Sequence, residues 1–170
     1  MKKYALVASY VLGSVVMVPV KAYGIRALKL IIPKKWIVRA DELDFAKLFS
    51  GYTDSEIIAS VVVVSVLEEL IFRGAIPYVT GTSWIAGIIV AVAFACVHSV
   101  KPGRWLPANV PVSQLVGGIW YWLGIKIYGL PLAIVAHVIH NIIIFCLVMR
   151  GLEKKGMKLG ELHASEVGPE

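Results

Sequence analysis

Five long apolar runs constrain this sequence of 170 residues more than any other feature. Each is close to the length of about 20 residues that one helical crossing of a membrane requires. The hydrophobic fraction of 58% and the mean hydropathy of +0.78 also exceed those of soluble domains, where about 45–50% of residues are apolar. We therefore predict an all-α integral membrane protein, a polytopic bundle of about five transmembrane helices over residues 4–20, 56–78, 84–100, 110–128 and 131–149.

Two of these runs allow a second interpretation. Run 110–128 holds three glycines and Lys126, which is compatible with a short or re-entrant helix. Run 4–20 follows two lysines, so residues 1–22 could also be a signal peptide. Its 17 residues exceed the roughly 7–15 that form the apolar part of a signal peptide. A retained helix is therefore favoured, and both alternatives stay open.

The positive charges indicate a membrane partner and an orientation. The formal net charge is +6, and the basic residues cluster beside the apolar runs, where anionic lipid is a nearer partner than nucleic acid. The segments after the first, third and fifth runs hold 13 Lys and Arg, against 2 at the N-terminus. By the positive-inside rule, the C-terminus is expected to be cytoplasmic and the N-terminus to face outward.

The segments between and after the runs fit a single membrane domain over residues 1–170, with no flexible linker, repeat or low-complexity stretch. Segment 21–55 mixes basic and apolar residues, which suits an amphipathic helix in the membrane interface, although an ordinary juxtamembrane linker fits nearly as well. Tail 150–170 is expected to be solvated. Cys96 and Cys146 lie within apolar runs and are interpreted as small buried hydrophobic residues, not as a disulfide or a zinc motif.

Three ionisable side chains interrupt the second run. Glu68, Glu69 and Arg73 would together cost about 8 kcal/mol if they faced lipid without partners, so we expect them to face the interior of the bundle. Glu69 and Arg73 are four residues apart and can pair on one helix face. Glu68 is turned about 100° away from Glu69 and has no partner on its own helix. A buried ion pair that fixes helix packing would explain Glu69 and Arg73, but not Glu68.

Further polar residues lie in the third and fifth runs. His98 ends the third run, and the fifth holds His137 and Asn141 four residues apart on one face, with His140 beside them. At 1.5 Å per residue, His98 lies about 9 Å nearer the cytoplasm than Glu68, so helix tilt must bring the two together. A single histidine of this kind is most often a hydrogen-bonded interior group. Together with Glu68 they predict a hydrolytic site, in which a carboxylate takes a proton from water and neutral donors stabilise an oxyanion.

Three motifs in this order resemble a known family: Glu68-Glu69-x-x-x-Arg73, then Phe94-x-x-x-His98, then His137-x-x-x-Asn141. They are similar to those of the CAAX-protease and bacteriocin-processing family, also called the ABI family, of glutamic intramembrane endopeptidases. The resemblance covers roughly residues 56–149, which would form the catalytic core. Its fuller members have more transmembrane helices than the five expected in this chain.

The resemblance implies roles for the motif residues. Glu68 corresponds to the glutamate that activates water with the help of His98, while His137 and Asn141 correspond to the pair that stabilises the oxyanion. Glu69 and Arg73 correspond to supporting positions that shape the site. His140 matches no motif position and is only a possible addition to the catalytic residues. Ser65 lies one turn before Glu69 without the spacing of a serine protease, so we expect it to serve helix packing.

The resemblance also implies a substrate class. Members act on prenylated C-terminal tails in eukaryotes, and on leader peptides or sorting tails, or in peptide immunity, in prokaryotes. The short chain indicates a prokaryotic, multi-pass protein of the cell membrane. We expect a membrane-associated protein or peptide as substrate, cleaved near a C-terminal tail or anchor, with the lipid bilayer as a further partner. No cofactor and no nucleic acid are expected, and the oligomeric state stays open.

Three other functions fit parts of the pattern. Glutamate and two histidines are reasonable zinc ligands, so a zinc-dependent membrane protease is one alternative, although the sequence has no HExxH motif. Buried carboxylates and histidines also form proton or ion paths in transporters, but five helices without an inverted repeat are less typical of that class. A peptide-immunity protein that keeps the fold without turnover is the third.

Overall fold

The computed structural model describes residues 2–31, 52–101, 104–105 and 109–153. The α-helices are α1 (Lys2–Ile31), α2 (Asp54–Glu69), α3 (Ile76–Thr80), α4 (Trp84–Ser99), α5 (Asn109–Tyr128) and α6 (Leu130–Glu153), and a π-helical turn (Leu70–Ala75) joins α2 to α3. After α4, the strands β1 (Val100–Lys101) and β2 (Arg104–Trp105) pair in a short antiparallel ladder. This helical architecture confirms the all-α prediction.

The second apolar run forms one unbroken helical segment from α2 through the π-helical turn to α3. It begins at a capping box, in which the Thr53 hydroxyl accepts from the backbone N–H of Glu56, and the Glu56 carboxylate accepts from the backbone N–H of Thr53 at 2.7 Å. Pro77 is the second residue of α3, two positions after the last residue of the π-helical turn. Because proline has no N–H and its ring crowds the carbonyl four residues before it, here that of Arg73, a widened turn is favoured at this point.

Three pairs of neighbouring long helices run antiparallel. Between the α2–α3 segment and α6, Ser65 contacts Asn141 in the middle of α6, while Gly74 lies beside Leu130 at its start. Helices α4 and α5 are also antiparallel, since Ala91 contacts Gly118 and Gly87 contacts Trp122. Helices α1 and α5 are antiparallel as well, since Tyr10 contacts Tyr128 and Ser14 contacts Trp120. Gly129, with φ of 84°, adopts the left-handed conformation that turns α5 into α6.

Helices α4 and α5 approach closely because glycines replace side chains at their contact. A Cβ atom at Gly118 would lie 2.9 Å from the Cβ of Ala91, and one at Gly87 would overlap the Trp122 indole. Small residues at such contacts are typical of packed membrane helices. The glycines of run 110–128 therefore serve packing, and α5 is a continuous helix of 20 residues, not a short one. The re-entrant alternative stays untested.

The outer surface of the bundle is apolar, while large aromatic residues fill its interior. Ile85 and Ile89 of α4 are exposed, whereas Tyr121 and Trp122 are buried. In the described part of the chain, two helical segments are long and apolar enough to cross a membrane by length and composition, and a third is apolar but shorter: Tyr4–Lys21, Leu130–Gly151 and Trp84–His98. The number of five crossings stays a prediction.

The two cysteines lie on this outer surface. Cys96 and Cys146 are both exposed, so the prediction that they are buried is wrong. An apolar run does not by itself reveal which face of a helix points to its neighbours, and here both cysteines occupy the outward face. A small, weakly polar side chain is compatible with an apolar surface of this kind.

Helix α1 is longer than the first apolar run. It continues past Pro19 to Ile31, so residues 21–31 extend the first helix, and no separate interfacial helix begins at residue 21. Residues 32–51 of the predicted interfacial segment and residues 154–170 of the predicted tail lie outside the described residues. Packing of Tyr10 and Ser14 against α5 supports a retained helix, and the alternative of a signal peptide stays untested.

Candidate active site

Glu68 lies at the meeting point of three helices. Its Oε1 atom is 3.1 Å from Nε2 of His98 on α4, and its Oε2 atom is 3.7 Å from Nε2 of His137 on α6. The carboxylate is 19% exposed. The last turn of α2 thus presents a partly accessible carboxylate to two imidazole rings. The structure also closes the offset in depth between His98 and Glu68 that the sequence suggested.

The orientation of His98 is set by its own helix. Its Nδ1 atom donates to the backbone carbonyl of Phe94 at 2.8 Å, one turn earlier. Nε2 is then the atom that faces the Glu68 carboxylate. An unprotonated Nε2 and an ionised carboxylate oxygen are both acceptors and cannot form a hydrogen bond with each other. Glu68 and His98 therefore share one proton between Oε1 and Nε2. Glu68 and His98 are therefore arranged to exchange a proton.

Glu69 has different surroundings, although it is adjacent in sequence. Its side chain is completely buried, and Oε1 accepts from Nη1 of Arg73 at 2.8 Å and from Nδ1 of His137 at 2.6 Å. The ion pair predicted between Glu69 and Arg73 is thus present. Because this carboxylate is enclosed and bonded, it is suited to hold His137 in place, not to meet a substrate.

His137, Asn141 and Ser65 continue this chain of hydrogen bonds. The amide nitrogen of Asn141 donates to Nε2 of His137 at 3.0 Å and to the Ser65 hydroxyl at 2.9 Å. Since Nδ1 donates to Glu69 and Nε2 accepts, His137 is in its neutral Nδ1–H form. The Ser65 hydroxyl donates in turn to the carbonyl of Val61 at 2.6 Å. Ser65, assigned only to packing from sequence, thus fixes the orientation of the Asn141 amide.

The Arg73 guanidinium is buried with hydrogen-bonding capacity to spare. It lies over the Phe94 ring at 4.4 Å from the centroid, a cation–π contact. Among the described residues, Nε and Nη2 of Arg73, Oε2 of Glu69 and the Tyr10 hydroxyl have no hydrogen-bond partner. Polar groups enclosed in this way are commonly satisfied by buried water.

A comparison with known families decides what this arrangement belongs to. The model of the family described as type II CAAX prenyl endopeptidase Rce1-like matches residues 55–143, a little more than half of the chain. The chain belongs to this family. Membership confirms the resemblance drawn from the three motifs, and it makes the chain a membrane protein of the CAAX peptidase class, whose substrates are proteins or peptides in the membrane. No curated protein and no solved structure matches the chain.

The region matched by the family contains every residue predicted for the site but excludes α1. His140 lies within the region, yet its bonds lead to α1. Nδ1 of His140 donates to the carbonyl of Ser14 at 2.8 Å, and Nε2 lies 3.1 Å from Nζ of Lys21. The structure therefore joins His140 to α1 and not to Glu68.

Two residues near the site escaped the sequence interpretation. Tyr121 of α5 stacks on His137, with ring centroids 4.5 Å apart, and Lys21 reaches His140 from α1. Lys21 was counted with the charges of a loop because the first apolar run ends before it. Its spacing of seven residues from Ser14 puts both on one helix face, a signal that could have placed Lys21 inside the bundle.

The residue types of the site also bear on metal binding. Glu68, His98 and His137 are all side chains that zinc accepts as ligands. Within residues 2–31, 52–101, 104–105 and 109–153, however, no group of three or more His, Cys, Asp or Glu is placed to hold a metal ion. The geometry therefore gives no support to the zinc alternative.

Proposed function

We propose that this chain is an intramembrane endopeptidase of the glutamic type, in which Glu68 activates a water molecule for attack on a peptide bond. One observation carries the proposal: a partly exposed carboxylate lies against the Nε2 atoms of two histidines from different helices. The adjacent Glu69 is buried and occupied. Two neighbouring carboxylates thus have separate tasks because their environments differ.

The first step is addition of water. Glu68 takes one proton as the water oxygen bonds to the carbonyl carbon of the substrate, and the carbonyl π bond opens to an oxyanion. In the second step the carbon–nitrogen bond breaks as the oxyanion collapses. The leaving nitrogen takes a proton from the Glu68–His98 pair, which has gained one from water. The products are a new carboxyl end and a new amine, and no protein nucleophile is required.

The oxyanion requires hydrogen-bond donors, and in the structure those donors are bonded to other side chains of the site. Both hydrogens of the Asn141 amide are engaged, one of them by Nε2 of His137. An entering carbonyl oxygen takes over that hydrogen. His137 can then accept a proton at Nε2 from the Glu68–His98 pair, because the Glu69 carboxylate at Nδ1 stabilises the imidazolium. It returns this proton to the pair as the oxyanion collapses and the leaving nitrogen is protonated. His137 and Asn141 would together donate to the oxyanion, while Arg73 holds Glu69.

We also propose the membrane arrangement predicted from the sequence. The antiparallel order of α1, the α2–α3 segment, α4, α5 and α6 supports five crossings in a single multi-pass domain. The helix ends near His98 and beyond Asn141 then face the side with the larger number of basic residues, the cytoplasm. The substrate is a membrane-associated protein or peptide cut near its C-terminal tail or anchor in a prokaryotic cell membrane.

The experiment is cleavage in reconstituted nanodiscs. Lipid-anchored peptides with varied C-terminal tails are incubated with wild-type protein, Glu68→Ala, His98→Ala and Glu69→Ala, and new termini are identified by mass spectrometry. Glu68→Ala and His98→Ala should abolish cleavage while thermal unfolding stays close to wild type. Glu69→Ala should lower stability as well as activity. Normal cleavage by Glu68→Ala would reject the assignment, and proton flux that depends on Glu68 without cleavage would support a transporter.

A further inference from the structure

Lys21 is a partly buried cation at the centre of the bundle. Its Nζ atom lies 3.1 Å from Nε2 of His140, and it occupies space that Gly117 leaves free, since a Cβ atom there would be 2.9 Å from Nζ. His140 is ten residues from the start of α6 and thirteen from its end, about 15 Å and 20 Å along the helix axis. The ammonium group therefore lies near the middle of α6.

The partner of Lys21 does not neutralise it. Nδ1 of His140 donates to the Ser14 carbonyl, and Nε2 accepts from the Lys21 ammonium. His140 is therefore neutral. An ammonium group has three hydrogens to donate, and among the described residues His140 is the one side chain that the Lys21 ammonium reaches. Two donors of Lys21 remain for a ligand.

The neighbouring charges of the site compensate one another. Glu69 is paired with Arg73, and Glu68 shares a proton with His98. His137 is neutral in the resting site. Within the described residues, the Lys21 ammonium is thus the charge in this cluster that no carboxylate balances. A desolvated cation without an anion is costly, so the site favours an anionic ligand.

We propose that Lys21 binds the free C-terminal carboxylate of the substrate and thereby selects cleavage close to a chain end. The proposal rests on the proposed function and names the group that the substrate must carry. Glu68 contacts His137, His137 precedes His140 by one helix turn, and His140 contacts Lys21. Two histidines of α6 thus separate the ammonium from the Glu68 carboxylate, so the tail between the cleaved bond and the bound carboxylate must be short. A lipid phosphate could also bind an ammonium group, but phosphates lie at the membrane surface, away from the middle of α6.

The test compares peptides that differ in one group. Lipid-anchored peptides with randomised tails are prepared once with a free carboxylate and once with a carboxamide end, and their binding to Glu68→Gln protein is measured in phosphatidylcholine nanodiscs. Because this measurement needs no cleavage, it stays informative if the proposed function fails. The carboxylate peptides should bind at least about 30-fold more tightly, the low end of the loss when one partner of a buried charge pair is removed.

Variants in the same background locate the effect. Adding Lys21→Met should abolish the preference for the carboxylate, and Lys21→Arg should keep it. Lys126→Met is the matched control, since this lysine bonds to the Thr82 carbonyl on the α4–α5 side and should leave the preference unchanged. The comparison of carboxylate and carboxamide peptides on the protein with Lys21 intact tests the proposal by itself. The proposal therefore stays testable even if Lys21→Met does not fold.

Several results would overturn it. The proposal is wrong if carboxylate and carboxamide peptides bind equally, or if neither binds. It is also wrong if the preference for the carboxylate persists in Lys21→Met. Equal loss of both peptides in Lys21→Met would show that Lys21 only attaches α1. Loss of the preference when phosphatidylglycerol is added would assign the ammonium to lipid phosphate. Failure of cleavage together with an intact binding preference would reject the proposed function and leave this inference standing.

Discussion

Nε2 of His98 lies 3.1 Å from Oε1 of Glu68, while Nδ1 of the same ring donates to the Phe94 carbonyl. Both ends of the imidazole are thus engaged, and the proton between ring and carboxylate belongs to the two residues together. Such a pair can store the proton taken from water and return it to the leaving amine. This relationship separates Glu68 from Glu69, whose bonds are all directed into the protein.

The buried pair of Glu69 and Arg73 should show strong coupling in stability. Arg73→Met leaves the Glu69 carboxylate enclosed without its cation and should lower the free energy of unfolding by about 3–5 kcal/mol. The double variant Glu69→Gln/Arg73→Met removes both charges and should recover much of that loss. Chemical unfolding in detergent micelles measures the cycle. Strictly additive losses would contradict a direct pairing.

The amide of Asn141 should contribute to turnover more than to folding. Asn141→Ala removes a donor to the oxyanion and should lower kcat by about 100-fold or more. Ser65→Ala removes the hydroxyl that orients this amide and should lower kcat by a smaller factor. Ser60→Ala is the matched control, because the Ser60 hydroxyl also donates to a carbonyl of its own helix, that of Glu56, at 2.8 Å. An equal effect of the two serine variants would contradict the role given to Ser65.

The contact between α1 and α5 depends on a glycine. A Cβ atom at Gly124 would overlap the Tyr10 hydroxyl, so Gly124→Ala should destabilise the protein by about 1–3 kcal/mol. Tyr10→Phe removes only the hydroxyl oxygen, and because the added Cβ would also overlap Cζ of the ring, it should restore little of the loss. Gly151→Ala, with nothing within 4 Å of the added carbon, should be neutral. Thermal unfolding compares the three, and a Gly124→Ala protein as stable as wild type would contradict this packing.

Chelation separates the glutamic mechanism from the zinc alternative. Activity should survive prolonged treatment with 1,10-phenanthroline, because in the proposed mechanism Glu68 and not a metal ion activates the water. Cleavage of the anchored peptides before and after treatment is the measurement, with a zinc protease in the same nanodiscs as the positive control. Loss of activity that added zinc restores would establish the alternative.

Sequence periodicity was sufficient to predict which of the polar residues lie together, and the reasons are physical. Charged residues in apolar helices must face one another, so the separate surroundings of Glu68 and Glu69 followed from the angle of one residue along a helix. The order of the motifs then brought His98, His137 and Asn141 to the same helices that the structure packs around Glu68. The distance between His98 and Glu68 could not be obtained, since it depends on helix tilt.

Other features required the packed structure. The outward position of Cys96 and the inward position of Lys21 both depend on which face of a helix meets its neighbours, and an apolar run does not specify this. The extension of α1 through residues 21–31 was not predicted because the mixture of basic and apolar residues there suited an interfacial helix or a juxtamembrane linker. Lys21 is accommodated by Gly117 on α5, a tertiary contact between residues almost a hundred positions apart.

The most direct test of the central claim is the single-turnover cleavage rate of Glu68→Gln, which keeps the size of the side chain and removes its ability to take a proton from water. Glu56→Gln, at the exposed start of α2, is the control for the loss of one carboxylate. The account predicts a rate at least about 1,000-fold below wild type for Glu68→Gln, with unfolding unchanged, and a near wild-type rate for Glu56→Gln. A Glu68→Gln rate within tenfold of wild type would contradict the claim that this carboxylate activates water.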